Sequence, residues 1–318
     1  MFNFKIQEAE YPRGSEAARR TPKNIQFEFS KSEEKLIEIK RVIEDLNADI
    51  LVLQEVFGKA SLEHFVKRYL GDKYDVLLRR GNDERGIQVG FLVKKSLNAH
   101  YSLESYKDIR IQRDYGIYHR GMPVFSRDLP ALYLRQKDGS NSRAKDDPDL
   151  IVLGGHFKSK RPTPGDFESN MRREIEAETA ARIFQDINNQ HGGRVPIALL
   201  LDTNTRQSSP EIQSLRSVTK DSLDLMGNKI TLDERVTHTF HPRGARLDAK
   251  QVDAQLLNDK MASLLTNSYV YHYKDQNGKN KIYLGDYTSK IYPIFFGQRK
   301  KNPSDHFPVV GIYDMTKK

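Results

Sequence analysis

Acidic, amide and imidazole side chains follow several short apolar runs of this sequence, at the points where buried strands would end. Four consecutive apolar residues precede Gln54 and Glu55, and a second apolar run leads through two glycines to His156. A third run is wholly apolar until Asp202 and Asn204. A core strand has no physical need for a charge at its end, because an unpaired buried carboxylate is costly. The pattern therefore favours a functional site at these strand ends.

Two later segments extend the pattern. Asp253 opens another apolar stretch, and Ser304-Asp305-His306 precedes an apolar run typical of a closing strand. Taken singly, each residue has an ordinary interpretation as a loop acid, a cap or a structural histidine. Taken jointly, the carboxylates and imidazoles at strand ends indicate a site that binds a metal and holds an anionic oxygen.

In their order along the chain, these segments resemble the endonuclease/exonuclease/phosphatase superfamily, whose fold is that of pancreatic-type DNase. The resemblance runs from Asn3 to His306. The matching motifs are Leu53-Gln54-Glu55-Val56, Phe125-Ser126-Arg127-Asp128, Gly155-His156-Phe157-Lys158-Ser159-Lys160, Asp202-Thr203-Asn204, Val252-Asp253 and Ser304-Asp305-His306. The histidine motif has the form typical of bacterial nuclease-like members. The resemblance implies one domain over residues 1–318, a four-layered α/β sandwich of two packed mixed sheets flanked by helices.

The sequence departs from the family pattern at four places. The first strand is nearly absent, because Asn3 is the third residue, and Leu201 precedes Asp202 where the family usually has glycine. In the DNase branch a glutamate orients the first histidine, and Ile87 occupies that position here. The partner of His156 is therefore not predicted. Arg85 replaces a nearby aromatic residue and could contact phosphate or form a surface salt bridge.

The resemblance also implies a metal site. Glu55 and Asp305 would bind Mg²⁺, with Mn²⁺ or Ca²⁺ as alternatives, and Asn3 would help to position the metal or the phosphate. Mg²⁺ suits oxygen ligands and keeps several waters, so one or two carboxylates suffice.

The other motif residues are assigned to the water and the phosphate. Asp202 would orient or deprotonate the attacking water, and Asn204 would hydrogen-bond the phosphate. His156 and His306 would donate hydrogen bonds to phosphoryl oxygens, and Asp253 would pair with His306 and keep it protonated. Whether Asp202 or His306 acts as the base stays open at this point.

The charge of the chain favours a polyanionic partner. The net charge is +9, from 52 basic and 43 acidic side chains, which promotes phosphate contacts through counterion release. Lys158, Lys160 and Arg85 are candidate contacts to substrate phosphate, whereas Arg127 is expected to brace the site or contact the substrate backbone. We therefore expect a nucleic-acid partner, DNA rather than RNA.

Three functions fit these observations. The first is a metal-dependent DNA endonuclease. The second is a phospholipid, sphingomyelin or phosphoinositide phosphoesterase of the same superfamily, since Glu55-Val56-Phe57 resembles the sphingomyelinase form of that motif. The third is a catalytically degenerate member that binds nucleic acid. Retention of every carboxylate argues against the third.

Composition limits the remaining possibilities. The chain has no cysteine, which excludes disulfides and thiolate metal sites. No apolar run approaches the ~20 residues that span a membrane, so we expect a soluble monomer without stable membrane association. The compartment stays open, and a secreted or periplasmic protein whose signal peptide has been removed is compatible with the sequence.

Local patterns predict the elements that must position the site. A capping box at Ser30–Glu33 precedes residues with helical apolar spacing, and a second long helix is expected over Glu168–Asn189. The other predictions are a short helix near residues 61–70, strands at Ile87–Val93 and Leu129–Leu134, a polar loop at Lys137–Pro148, a hairpin at Asn277-Gly278 and ordinary half-buried strand tyrosines within Tyr269–Tyr292.

Overall fold

The structure, a computed structural model, describes residues 32–137, 147–240, 248–273 and 304–317. Asn3, most of the predicted polar loop and the Asn277-Gly278 hairpin lie outside the described residues. The helices are α1 (Glu33–Leu46), α2 (Lys59–Tyr69), α3 (Asn170–Gln190), α4 (Gln213–Arg216) and α5 (Asp259–Leu264). The strands are β1 (Ile50–Val56), β2 (Tyr74–Leu78), β3 (Gln88–Lys94), β4 (Ala99–Glu104), β5 (Ala131–Gln136), β6 (Leu150–His156), β7 (Ile197–Asp202), β8 (Lys220–Asp221), β9 (His238–Phe240), β10 (Asp248–Lys250), β11 (Asp253–Leu257), β12 (Leu265–Val270) and β13 (Val309–Tyr313).

Two larger sheets organise the described residues. One is antiparallel, with the strand order β1-β3-β2. The other has the order β4-β5-β6-β7-β11-β8, in which β6 and β7 run parallel and their outer neighbours are antiparallel. Two short antiparallel pairs, β9 with β10 and β12 with β13, complete the described strands. The sheets are therefore mixed, as the resemblance implied.

The two larger sheets pack face to face through an apolar layer. Phe91 and Val93 of β3 belong to one buried cluster with Leu132 of β5 and Val152 of β6. Gly154 allows the close approach, because a Cβ atom there would lie 2.7 Å from Val52 Cγ1. Any side chain at this position would separate the layers or force the valine to move.

Helices cover both outer faces. Buried residues of α1 and α2 pack against β1 and the β2–β3 hairpin, and buried residues of α3 pack against the six-stranded sheet. The layers are therefore helix, sheet, sheet and helix, which confirms the four-layered α/β sandwich. Within the described ranges, no helix is both long enough and apolar enough to cross a membrane.

The ends of the helices correct some local predictions. Helix α1 begins at Glu33, and the side chain of its N-cap residue Ser32 makes no capping hydrogen bond. Ser30 and Lys31 of the predicted capping box lie outside the described residues. Helix α5 was not predicted, although its N-cap is strong: Asn258 Oδ1 accepts a hydrogen bond from the Met261 backbone N–H at 2.9 Å. A helix of six residues is too short to show a clear apolar period.

Candidate active site

Three strands bring three of the predicted residues to one sheet edge. His156 ends β6 and is the register partner of Asp202, which ends the parallel strand β7. Asp253 begins β11, which runs antiparallel to β7, and it is also opposite Asp202. The ends of two parallel strands and the start of an antiparallel one therefore meet at the same edge.

Asp202 connects His156 to the loop that follows β7. The Nε2 atom of His156 lies 3.3 Å from Oδ2 of Asp202, and both residues are buried. The other carboxylate oxygen accepts the Asn204 backbone N–H at 2.8 Å. Asn204 adopts a left-handed backbone (φ 53°), and its side-chain amide donates to the Phe157 carbonyl at 3.0 Å. Asp202 is thus the partner of His156 that the sequence left unassigned.

A second acid–imidazole pair adjoins the first. His306 Nδ1 lies 2.8 Å from Oδ2 of Asp253, as the resemblance implied. The Asp253 backbone N–H donates to Thr237 Oγ1 at 3.0 Å. The ring of His238 packs on His306 with centroids 4.5 Å apart. Thr237 and His238 were not predicted, because β9 has only three residues and no recognisable pattern.

The proton distribution follows from burial and charge. Burial alone would lower the pKa of His306, but the carboxylates of Asp253 and Asp202 raise it to about 9. Burial lowers the pKa of His238 to about 4, helped by the charge on His306, and burial lowers the pKa of His156 well below its usual value. His306 is therefore the imidazolium of the site, and His238 and His156 are neutral imidazoles.

Asp202 has the opposite perturbation. Burial raises the pKa of its carboxyl group to about 7, against the lowering effect of the nearby His306 charge. The repulsion from Asp253 adds to the increase. A carboxylate with a pKa near neutrality can accept a proton at neutral pH, which is the property of a general base.

Glu55 is positioned by a β-bulge. The register of β1 on β3 shifts by one residue between Leu53 and Val56, and Glu55 in this interval adopts a left-handed backbone (φ 57°). Such a conformation costs a non-glycine residue on the order of 1 kcal/mol. The bulge lies at the end of the strand, where the family motif predicts a metal ligand.

Two groups of described residues could hold a metal ion: His238 with Asp305 and His306, and Asp202 with Asp253 and His306. Glu55 belongs to neither group, so its role as a metal ligand stays a prediction. Asp305 is exposed, and one of its oxygens groups with ring nitrogens of His238 and His306 within 4.8 Å. A protonated His306 is a poor ligand, which leaves carboxylates as the suitable donors. Asn3 lies outside the described residues.

Arg127 is buried and braces the site. Its Nη1 donates to the Phe157 carbonyl at 2.9 Å, and its Nε lies 3.2 Å from Oδ2 of Asp83. Asp83 also pairs with Arg85 at 2.8 Å. Arg85 is 42% exposed on its side chain and carries the surface salt bridge considered as one of its alternatives. Arg85 forms no hydrogen bond to Glu55, but the two side chains interact electrostatically.

Helix α3 fixes the backbone at Lys158. The buried carboxylate of Glu176 accepts the Lys158 N–H at 2.7 Å and both the N–H and the Oγ–H of Ser126, at 2.7 and 2.6 Å. Arg173, which is fully buried, donates to the Lys158 carbonyl at 3.1 Å. Lys160 forms an exposed pair with Glu168 at 3.1 Å. The predicted histidine motif and arginine motif are therefore joined by Glu176, which the sequence did not identify.

The fold is the phosphoesterase and nuclease-like fold of the DNase type. The chain belongs to the endonuclease/exonuclease/phosphatase family, whose model matches residues 24–306. Members of this family are metal-dependent hydrolases of phosphoester bonds. Comparison with curated protein sequences found no significant match.

Solved structures of low sequence identity share the fold. TDP2 of D. rerio, in complex with a single-stranded DNA product, is 12% identical, with 88% of this chain and 92% of that chain covered and a TM-score of 0.54. A family protein of Bacteroides thetaiotaomicron is 16% identical, with 88% and 89% covered and a TM-score of 0.54. A mannosyl-6-phosphatase of the same bacterium is 14% identical, with 88% and 91% covered and a TM-score of 0.53.

Proposed function

We propose that this protein is a metal-dependent DNA endonuclease that hydrolyses phosphodiester bonds with an activated water. The observation that carries the proposal is the pair of acid–imidazole contacts at one sheet edge, His156 with Asp202 at 3.3 Å and His306 with Asp253 at 2.8 Å. The same edge therefore offers a proton acceptor, Asp202 with a pKa of about 7, and a positive charge, His306 with a pKa of about 9.

In this mechanism Asp202 takes the proton from the attacking water. Its pKa of about 7 is close to the optimum for a general base at neutral pH. His306 stays protonated below about pH 9, so it donates a hydrogen bond and a charge to the phosphoryl oxygens. These two pKa values favour Asp202 over His306 as the base.

The neutral residues orient the phosphate. His156 holds Asp202 through Nε2, and Asn204 is fixed by its contacts to Asp202 and to the Phe157 carbonyl. Glu55 and Asp305, with Asn3, would hold Mg²⁺, which supplies charge neutralisation at the phosphoryl group and the leaving oxygen. In this proposal Asp202 carries out the proton transfer, and His306 stabilises the charge on the phosphoryl oxygens.

Charge and comparison support DNA as the substrate. Lys158 belongs to the histidine motif and is partly buried beside Arg127, and Arg85 lies within electrostatic reach of Glu55 and His156. The D. rerio structure of the same fold holds a single-stranded DNA product. The net charge of +9 favours a polyanion over a small phosphate ester.

The test is nicking of supercoiled plasmid in the presence of Mg²⁺. The intact protein should produce open-circle and linear forms, and EDTA or Glu55→Ala should abolish them. Glu63→Ala is the matched control, because Glu63 is an exposed acid of α2 and should leave cleavage unchanged.

Parallel assays decide between the alternatives. Mannose 6-phosphate with detection of released phosphate tests a phosphomonoesterase, and sphingomyelin vesicles test a lipid hydrolase. Turnover of either substrate without plasmid cleavage would overturn the endonuclease proposal. Salt-dependent plasmid binding without any turnover would identify a degenerate nucleic-acid-binding member.

A further inference from the structure

A large aromatic side chain is displayed on the loop that leaves the proposed active site. Residues 159–169, called here the 159–169 loop, connect β6 to α3. Phe167 in this loop is 75% exposed. Single exposed apolar residues are common on protein surfaces, so the exposure of Phe167 has meaning only if the loop holds it there.

Buried contacts fix the loop. Asp166 is buried and its Oδ2 accepts hydrogen bonds from the Tyr118 hydroxyl and the Arg172 N–H, both at 3.1 Å. Ser169 Oγ donates to the Arg161 carbonyl at 2.8 Å, which closes the base of the loop. Phe167 lies between these two anchored residues. Its exposure is therefore a property of a defined turn and not of a loose segment.

The backbone within the loop is restrained as well. Pro162 and Pro164 fix their own φ angles, and Thr163 and Asp166 exchange backbone hydrogen bonds at 2.8 and 3.3 Å. Gly165 has a φ of +86°, and a Cβ atom there would lie 2.6 Å from a side-chain atom of Ile117. The chain can make this turn only with glycine at that position.

Basic residues connect Phe167 to the site. Lys158 belongs to the histidine motif, and Lys160 and Arg161 lie at the base of the loop, where Glu168 offsets one of the charges. Two steps along the chain lead from Phe167 to Ser169, whose hydroxyl is hydrogen-bonded to the Arg161 carbonyl. Three further steps lead from Arg161 to Lys158, so the path has five chain steps and one hydrogen bond. At 3.8 Å for each step, the two Cα atoms are at most about 27 Å apart. Even at this upper limit a single strand of 12 nucleotides could reach from Lys158 to Phe167, since one strand rises about 3.4 Å per nucleotide in B-form DNA.

We propose that Phe167 is a stacking platform for an unpaired base of a single-stranded nucleic acid whose phosphates follow Lys158, Lys160 and Arg161 to the active site. This inference rests on the proposed nuclease function and specifies its substrate. A base presents a flat π-face that an exposed aromatic ring can cover, and such platforms combined with basic grooves bind single strands with little sequence preference. Phe167 is then a binding residue and takes no part in proton transfer.

The absence of tryptophan from the whole chain allows a direct test. Phe167→Trp creates a single fluorescent reporter at the platform, and titration with a single-stranded 12-nucleotide DNA in EDTA should quench its emission. Inorganic polyphosphate, which has the charge but no bases, should not quench it. Ile312→Trp is the control, because Ile312 is 48% exposed on β13, six residues beyond His306.

Cleavage assays give the second readout. Phe167→Ala should raise the KM for a single-stranded oligonucleotide by roughly 5- to 100-fold, the usual loss for one stacked base. Its hydrolysis of bis-p-nitrophenyl phosphate, which is too small to reach Phe167, should be unchanged. Lack of quenching, equal quenching by polyphosphate, or an unchanged KM overturns the inference. If the intact protein and Phe167→Ala cleave DNA equally well, the inference about Phe167 is overturned and the proposed function stands. If Phe167→Trp is quenched but no DNA is cleaved, the proposed function alone is overturned.

Discussion

Nδ1 of His306 lies 2.8 Å from Oδ2 of Asp253 in a pair that the backbone holds on both sides. Thr237 Oγ1 accepts the Asp253 N–H, and the hydroxyl of Tyr273 donates to the His306 carbonyl at 2.6 Å. Tyr273 is buried, in agreement with a structural role for this tyrosine. The geometry of the pair is therefore fixed, and what changes with pH is the protonation state of His306.

Replacing Asp253 should change the pH dependence of the protein. The raised pKa of His306 means that its contribution to stability is fully present below about pH 6.5 and is lost as the pH rises through about 9. In Asp253→Asn the pKa of His306 should fall, so the alkaline limb of the kcat/KM profile should move to lower pH. The acidic limb near 7, which we assign to Asp202, should move less.

The measurements are the pH profiles of kcat/KM and of the thermal midpoint. Asp147→Asn is a suitable control, because Asp147 also pairs with an imidazole, His191 at 2.7 Å, but precedes β6 at the end of that strand away from His156. An alkaline limb that stays at the same pH in Asp253→Asn would contradict the assignment of that limb to His306.

Glu176→Gln should damage substrate binding as well as stability. An amide retains one acceptor oxygen, whereas Glu176 uses one oxygen for Ser126 and the other for Lys158. The amide NH₂ group would face a buried N–H donor, which should lower the free energy of unfolding by about 1–3 kcal/mol. Because Lys158 is a proposed phosphate contact, KM should rise more than kcat falls.

A purely structural role would give a different result. Asp147→Asn changes a carboxylate that contacts His191 and Arg194 before the start of β6, at the end of that strand away from His156, so it should lower the thermal midpoint without changing KM. If Glu176→Gln and Asp147→Asn show the same kinetics at matched stability, Glu176 does not position the substrate contact.

Most of the site could be predicted from the sequence, because its residues lie at the ends of uninterrupted apolar strands. The order of the strands then brings His156, Asp202 and Asp253 to one edge, a consequence of sheet register. Glu176 escaped prediction for a physical reason. Helix α3 buries charged residues, among them Arg173 and Glu176, on the same face as its apolar residues, so the apolar period does not reveal which polar residues point inward.

The partner of His156 also needed the structure. The family position for an orienting glutamate is Ile87, which is 3% exposed and belongs to the core. Only the parallel pairing of β6 and β7 shows that Asp202 is adjacent to His156. Asp83 was missed for a similar reason, since its turn sequence does not indicate that a buried arginine from a distant segment will reach it.

The two arginines on Asp83 should respond differently to substitution. Asp83→Asn leaves the buried Arg127 without its nearest counter-charge, so stability should fall by about 3 kcal/mol or more. Arg85→Ala removes an exposed pair, which contributes only about 0–1 kcal/mol. If Arg85 leaves Asp83 to bind substrate phosphate, Arg85→Ala should raise KM despite its small effect on stability. The dependence of KM on salt concentration should also become weaker.

Chemical denaturation and KM at two salt concentrations measure these effects. Arg68→Ala is the matched control for Arg85, since Arg68 also forms an exposed ion pair, with Glu33 at 3.5 Å. Equal salt dependence in Arg85→Ala and the intact protein would assign Arg85 to the surface salt bridge alone.

Glu55→Gly should separate stability from activity at the bulge of β1. Glycine relieves the left-handed backbone (φ 57°), a gain of about 1 kcal/mol that offsets the similar entropic cost of glycine. The thermal midpoint should therefore stay within a few degrees, whereas Mg²⁺-dependent cleavage should fall by roughly 100-fold or more, because a carboxylate ligand is lost. Mg²⁺ should also stop raising the thermal midpoint. The comparison is Gln54→Gly, where the backbone is not left-handed, so destabilisation is expected. Cleavage by Glu55→Gly at the rate of the intact protein would show that Glu55 is not a metal ligand.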